Sequence, residues 1–376
     1  MDTMKDIKIF IYDKEIKKQV MKDITAIIRE FYTKCDLFIL NRGWAEGAHI
    51  QVVYKNFENE KAEQDFIKKI YKQAKQWQQL PSETIDYDKY ETYVERIKVL
   101  ENYQGTIKPL QKQFTVKQGL YLKERELFPK RYFTDEKYRT DVVILLSDYF
   151  YSLSEINQEI FILKLMTLYG NYENTQLKND EGIYLAYYSF KSHYEGFING
   201  LEGFSDDKRK QIVSLLQPSE QAERDFIEQG FTDILLSSVS NFENCNLKEK
   251  EIFSGFLELI HQLKDSYTHL FTSGAILIKE DEGNTVRDYV SKKGISNYHQ
   301  KIKDEFNLDL FNQKDFIVGR LVMNWFYSLL PILSISPMKK HKLCNLISLA
   351  VEKKKGKQET DLLEELKEKY HFEMNF

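Results

Sequence analysis

Over residues 7–54 the hydrophobic period of the chain changes from two to three-and-a-half and back, and few folds accommodate that switch. Ile7-Lys8-Ile9-Phe10-Ile11-Tyr12 alternates and is rich in β-branched and aromatic side chains, which predicts a strand. From 14 to 34 the apolar positions Ile16, Val20, Met21, Ile24, Ile27, Ile28 and Phe31 recur three and four apart, the pattern of an amphipathic helix. Phe38 to Leu40 reads as a second strand, Asn41 to Ala48 as a turn, and His49 to Tyr54 as a third strand. An all-helical bundle cannot absorb these segments, so the start of the chain is an α+β unit.

Downstream the text is mainly helical. Residues 58–78 predict a charged helix closed by Leu80-Pro81-Ser82, and Val94, Ile97, Val99 and Leu100 suggest another within 82–100. Residues 104–133 look loop-like, with short strands at 114–116 and 120–122. Thr134-Asp135-Glu136-Lys137 has the form of a helix start and predicts a helix over 135–153, and Ser154 caps the next one. Further helices are expected around 181–200, 206–216, 219–240, 248–271, 297–306, 314–336 and 338–355, with a possible strand at 276–278. No internal repeat is evident. The expectation is a mostly helical α+β protein with a small β-containing N-terminal part, folded as a single compact domain. Its β-α-β-β subregion covers 1–57, its helical body 134–355, and an exposed, charged helical tail 356–376.

Charge and cysteine usage narrow the function classes. The 54 basic and 58 acidic residues nearly cancel, to a net −4, so no global basic field draws the chain to nucleic acid. Cys35, Cys245 and Cys344 are scattered and odd in number, forming neither a disulfide framework nor a CxxC site, which suits a reducing cytoplasm. The short run 7–12, broken by Lys8, reads as a strand and not a signal peptide, and no stretch approaches the ~20 apolar residues that a membrane span requires. Aromatic residues reach 14%, either a compositional bias or a surface that grips peptides.

GxGxxG, Walker A, HExxH and GxSxG are all absent, and the seven histidines show no ligand spacing, so neither a cofactor nor a metal is expected. Residues 38–52 stand out. They present Arg42, Trp44 and His49 around a turn containing Gly43 and Gly47. Glycine permits tight turns and close approach, arginine offers a planar fork to carboxylates and carbonyls, and histidine moves protons near neutral pH. The plainest structural reading makes this a hairpin whose Trp44 packs on its own helix and whose Arg42 pairs with Glu46. His193-Tyr194-Glu195 reads as a solvated helix face, and Tyr184 to Phe190 as core plus helix surface.

The spacing hydrophobic-Arg42-x-x-x-x-Gly47-x-His49-Ile50 resembles the N-terminal signature of the thiopeptide-type bacteriocin biosynthesis family. That family includes the glutamate-elimination domain of lantibiotic dehydratases and stand-alone thiopeptide pyridine synthases. Tyr121 to Pro129, containing Glu124 and Arg125, is similar to its Tyr-x-x-Glu-x-x-Arg-Tyr-Gly segment, and Met323 to Leu330 to its closing helix. Two departures stand out. Leu127 occupies the place of a second arginine, leaving Arg125 and Arg131 as candidates for that role, and Asn324-Trp325-Phe326-Tyr327 replaces the His-Met-His-x-Asn-Arg segment.

The resemblance implies an elimination-domain-like fold and maturation of a ribosomal precursor peptide carrying dehydroamino acids. It favours pyridine-forming cycloaddition with loss of the leader over glutamate elimination. Arg42, His49 and Tyr327 would then be catalytic, with Trp44, Glu124, Arg125, Asn324 and Trp325 contacting substrate. The partners would be the precursor peptide and a dehydratase, and a non-catalytic precursor-binding role is a further reading, as is a phage or stress-related helical interaction protein. The basic runs 339–342 and 353–357 would be solvated helix ends or a docking surface for an acidic leader.

Overall fold

The computed structural model describes residues 4–100, 106–121, 129–176, 186–230, 245–274, 296–305 and 314–373. The chain clusters into two compact units, Met1–Ser152 and Leu153–Phe376, where the sequence led us to expect one.

The first unit follows the predicted period switch. Strand β1 (Lys5–Phe10) leads into helix α1 (Lys14–Phe31), then β2 (Cys35–Gly43), β3 (His49–Phe57), α2 (Glu60–Trp77), α3 (Tyr87–Leu100), β4 (Val116–Leu120) and α4 (Pro129–Phe150). The strands form one antiparallel sheet in the order β2-β3-β1-β4. Asp13 caps α1, its carboxylate accepting from the Glu15 and Ile16 amides at 2.9 and 3.0 Å. Val20, Met21, Ile24 and Ile28 of α1 are wholly buried, as are Ile39, Leu40 and Val52 of the sheet. Each such side chain contributes about 1.5–3 kcal/mol on leaving water. Phe66 of α2 is the hub of an aromatic cluster, 5.3–5.6 Å from the rings of Phe31, Phe38, Tyr54 and Phe57.

Several boundaries differ from expectation: β1 ends at Phe10 and not Tyr12, and β2 runs over Cys35–Gly43, taking in Asn41, Arg42 and Gly43, which the sequence reads as turn. The two short strands foreseen near 114–122 are one strand, β4, held by its pairing to β1. Helix α4 starts at Pro129, so Thr134 lies inside it and not at its start. Proline suits a first helical position, where its missing N–H costs nothing.

The second unit is helical throughout its described residues: α5 (Glu155–Gln176), α6 (Ala186–Asn199), α7 (Asp206–Leu215), α8 (Gln221–Asp225) running into a π-turn, α9 (Leu247–Thr272), α10 (Asn297–Glu305), α11 (Lys314–Leu329), α12 (Pro337–Lys355) and α13 (Glu359–Glu373). Phe256 of α9 meets Phe326 of α11 at 6.0 Å, and Phe161 of α5 stacks on Phe253 of α9 at 5.6 Å. Ser336 and Pro337 open α12, and Gly356 ends it with φ +61°. The C-terminal helix is not the exposed tail expected. Leu362, Leu363 and Leu366 recur at i, i+1 and i+4, and all three are buried, the latter two clustering with Tyr298 of α10. The strand considered at 276–278 lies outside the described residues. No described helix is long and apolar enough to cross a membrane.

Candidate functional site

The turn between β2 and β3 is built as the sequence proposed, and with more backbone support. The pair Gly43–His49 closes the ladder, Arg42 faces Ile50, and Asn41 faces Gln51. Within the turn the Gly47 amide donates to the Trp44 carbonyl at 3.0 Å, and Gly47 takes φ +115°. A Cβ there would overlap the Tyr12 hydroxyl, so both conformation and space demand glycine. The turn is also strapped from outside: the Ala45, Glu46 and Ala48 carbonyls accept from the Lys108, Gln111 and Ile11 amides at 2.9–3.1 Å. Helix α4 fixes the end of β2, Thr140 Oγ1 accepting from the Leu40 amide at 2.9 Å and Arg139 donating to Asn41 Oδ1 at 2.8 Å.

His49 is buried, tilted against Phe10 with ring centroids 5.0 Å apart. Its Nδ1 lies 2.8 Å from the Gly47 carbonyl oxygen, which can only accept, so Nδ1 carries the proton and Nε2 the lone pair. The ring lies over Gly43, where a Cβ would collide with the imidazole. Burial pushes its pKa down to about 4, against the Gly47 carbonyl and Glu46, which favour the cation. His49 is therefore a neutral base at physiological pH. Glu46 turns to Lys8 and to Lys117 (3.8 Å), not to Arg42.

Arg42 keeps part of its side chain in water. Crowding lowers its pKa through lost hydration, opposed by the hydroxyls of Tyr151, Tyr90 and Tyr93, and it stays charged. Tyr90 meets Tyr12 at 4.8 Å and Tyr93 at 5.8 Å, so a tyrosine wall stands beside the guanidinium, with Tyr93 open to solvent. Trp44 is half-buried in the turn. The residue that the sequence reading missed is Lys17 of α1. It is 8% exposed, burial drives its pKa well below the ordinary lysine value, and the one charge acting on it among the described residues is Arg42.

The second unit holds Tyr327, Trp325 and Asn324 on α11. Trp325 is 1% exposed and belongs to the core, while Asn324 is exposed. Tyr327 is buried, with its hydroxyl 3.6 Å from Cys344 Sγ and its ring edge-on to His193 at 4.4 Å. Lys340 Nζ sits 5.0 Å over the same ring. His193 is no solvated helix residue, because α12 packs against α6 and covers it. Burial lowers its pKa to about 3, and Lys340, His341, His299 and Arg320, all basic, push the same way. His341 stacks on Phe197 at 4.3 Å, and its Nδ1 is buried without a partner. His299 sits between two serines, Ser192 at 2.7 Å and Ser296 at 2.6 Å. Only tertiary packing assembles this histidine group, since its members come from three separate helices, α6, α10 and α12.

The basic runs near the C-terminus are largely engaged. Lys339 pairs with Glu155 and Glu159, Lys342 with Glu223 (2.5 Å), Lys353 with Glu228 (3.1 Å) and Lys357 with Glu365 (3.1 Å). Glu124 and Arg125 lie outside the described residues, as does the side chain of Arg131. Among the described residues no group of three or more His, Cys, Asp or Glu is arranged to hold a metal ion.

No family model matches the sequence, and no curated protein does. Solved structures do match in fold. "Pyridine synthase, TbtD, from thiomuracin biosynthesis" superposes with TM-score 0.63 at 14% identity, covering 93% of this chain and 98% of that one. The crystal structure of TsrL superposes with TM-score 0.61 at 12% identity, covering 96% and 98%. The chain thus shares the fold of this pyridine synthase over 93% of its length, mostly helical with a small N-terminal antiparallel sheet, as the sequence resemblance implied.

Proposed function

We propose that this protein matures a ribosomally made, thiopeptide-like precursor peptide by joining two dehydroalanines into a pyridine ring, with release of the leader. The observation that carries this reading is the full-length fold match to a pyridine synthase. The Arg42–His49 turn supports it, because it sets an arginine and a neutral histidine base on one short, rigid hairpin.

The chemistry needs no oxidant. A proton moves from a backbone amide nitrogen to its oxygen, and the resulting azadiene meets the second alkene. Two carbon–carbon bonds form, water leaves the former carbonyl carbon, and the leader departs as an amide to make the ring aromatic. Holding the two alkenes in contact supplies most of the acceleration. Arg42 stabilises charge on the amide oxygen as it develops, and His49 Nε2 takes and returns the amide proton. Tyr327 serves as a donor in this reading. Burial raises its pKa far above the ordinary tyrosine value, so it stays protonated at any working pH. Trp44 and Asn324 provide contacts for the peptide, as do Glu124 and Arg125. Trp325, buried in its unit, supports α11 from beneath.

The test is to incubate the protein with a dehydrated precursor and follow mass. Loss of water together with the leader is the expected result. Loss of glutamate from a glutamylated precursor would assign elimination instead, and binding without mass change would assign a carrier for a partner dehydratase.

A further inference from the structure

Every open sheet has two edges, each a row of backbone N–H and C=O groups that must be paired, covered or left to water. In the order β2-β3-β1-β4 the edges are β2 and β4. Helix α4 packs on β2, and its Thr140 and Arg139 bond the Leu40 amide and Asn41 Oδ1. β4 has no such cover among the described residues. Its register on β1 shows which groups are left over. The Phe10 amide donates to the Thr115 carbonyl at 3.0 Å and the Tyr121 amide to the Met4 carbonyl at 2.9 Å, so Thr115, Lys117, Gly119 and Tyr121 turn toward β1. By the alternation of an antiparallel ladder, the N–H and C=O groups of Val116, Gln118 and Leu120 turn outward. None of these backbone groups is hydrogen-bonded to a described residue. Gln118, Gly119 and Leu120 are exposed, Leu120 by 60%.

The chain leading into this edge is basic. Residues 106–121 carry Lys108, Lys112 and Lys117 and no acid. Lys108 and Lys112 are exposed and make no salt bridge with a described residue, whereas Lys339, Lys342, Lys353 and Lys357 each hold a glutamate. The Val116 end of β4 also lies beside the Arg42–His49 turn. Phe10, which bonds Thr115, packs on His49, and the Lys108 and Gln111 amides bond the Ala45 and Glu46 carbonyls.

We propose that the outer edge of β4 docks an extended, acidic segment of the peptide substrate as an additional antiparallel strand, delivering the residues that follow it to the Arg42–His49 turn. The outward backbone groups of Val116, Gln118 and Leu120 supply the ladder, Leu120 an apolar contact, and the lysines the preference for acidic side chains. Lysines on an open edge repel a second copy of that edge, so the fitting guest is an acidic chain and not this protein's own twin. β4 runs away from the turn, so an antiparallel guest runs toward it. The docked part of the peptide therefore precedes its reacting part. The peptide-maturation reading enters only in calling the guest a substrate.

Binding to the full chain tests this without catalysis. The probe is an acetylated, amidated peptide alternating glutamate with valine. Its controls are the lysine–valine counterpart and a copy N-methylated along its backbone, which cannot complete a ladder. The acidic probe should bind, more weakly as salt is added, and slow hydrogen exchange at the Val116, Gln118 and Leu120 amides. The Lys117 and Gly119 amides, already bonded to β1, should change little. Both controls should bind at least about tenfold more weakly. Gln118→Pro removes one outward N–H while sparing the ladder to β1, and should weaken the probe by about tenfold or more with Tm reporting that the fold survives. Gln118→Ala, which keeps the N–H, should bind like the wild type. No binding of the acidic probe, equal binding of either control, protection that misses these three amides, or wild-type affinity in folded Gln118→Pro would each overturn the proposal. Docking as expected combined with no turnover of dehydrated precursor would remove the functional reading and leave this edge standing. Equal turnover by the wild type and Gln118→Pro would do the reverse.

Discussion

Two histidines, His49 buried in the first unit and His193 half-buried in the second, reach a neutral state by different routes. His49 is held by a carbonyl at 2.8 Å, with Glu46 and Asp6 favouring its cation and only Lys8 opposing, and lost hydration still brings its pKa to about 4. His193 is surrounded by Lys340, His341, His299 and Arg320 and falls further, to about 3. In the first case one nitrogen is committed and the other left bare, which suits a base of fixed orientation. In the second, bases from four helices crowd together, so adding a proton to one raises the cost for the rest. Burial alone neutralises a histidine; the hydrogen bond decides what the neutral ring can do.

The comparison is broken most severely by removing the group that each unit contributes to the proposed chemistry. Arg42→Ala should lower kcat/KM on dehydrated precursor by about a hundredfold or more, the usual cost of losing one charge-stabilising donor, with Tm nearly unchanged because the side chain is exposed. Tyr327→Phe keeps the ring and deletes the hydroxyl. A similar loss is expected, and wild-type activity in both variants would end the assignment.

Next in size is the close approach that shapes His49. Gly43→Ala puts a methyl group into the imidazole and should destabilise the protein by about 1–3 kcal/mol in urea unfolding, the typical cost of overpacking. Gly47→Ala combines overlap with Tyr12 and a positive φ, and should cost at least as much.

Acid stability sharpens the contrast. Both pKa values lie below the ~6.5 of an unfolded histidine, so the unfolded chain binds protons first as pH falls. The contribution of these neutral rings is complete above about pH 6.5 and is lost progressively as pH drops toward 4 for His49 and His341 and toward 3 for His193. Imidazole NMR shifts at pH 5.5 should show His49 neutral and protonated on Nδ1. The smallest effect expected is that of Lys353→Ala, which breaks an exposed pair with Glu228 and should change stability by no more than about 0.5 kcal/mol.

Much of the first unit was legible because each of its segments announces its own period: Ile7 to Phe10, Ile16 to Phe31 and His49 to Tyr54 all sit in the predicted elements, while Ile11 and Tyr12 fall just past the end of β1. Arg42 and His49 were legible for the same reason, since one short hairpin brings them together. Lys17 was not. A charged residue beside Ile16 reads as helix surface, and only the packing of α1 on more than one side buries it. His193 escaped likewise, since α10, α11 and α12 supply its neighbours from distant parts of the chain. The burial of α13 depends on Tyr298, which no local pattern links to Leu363.

The sheet order has a consequence for synthesis. β1 is an inner strand, flanked by β3 and by β4, whose residues follow its own by over a hundred positions. At ribosomal rates of 5–20 residues per second, one side of β1 waits roughly 5–20 s for its partner. An unpaired strand edge in a nascent chain invites pairing with other chains. Lys5, Asp6 and Lys8, half the strand, are the charges that guard Ile7, Ile9 and Phe10 through that interval, the gatekeeper arrangement that suppresses aggregation.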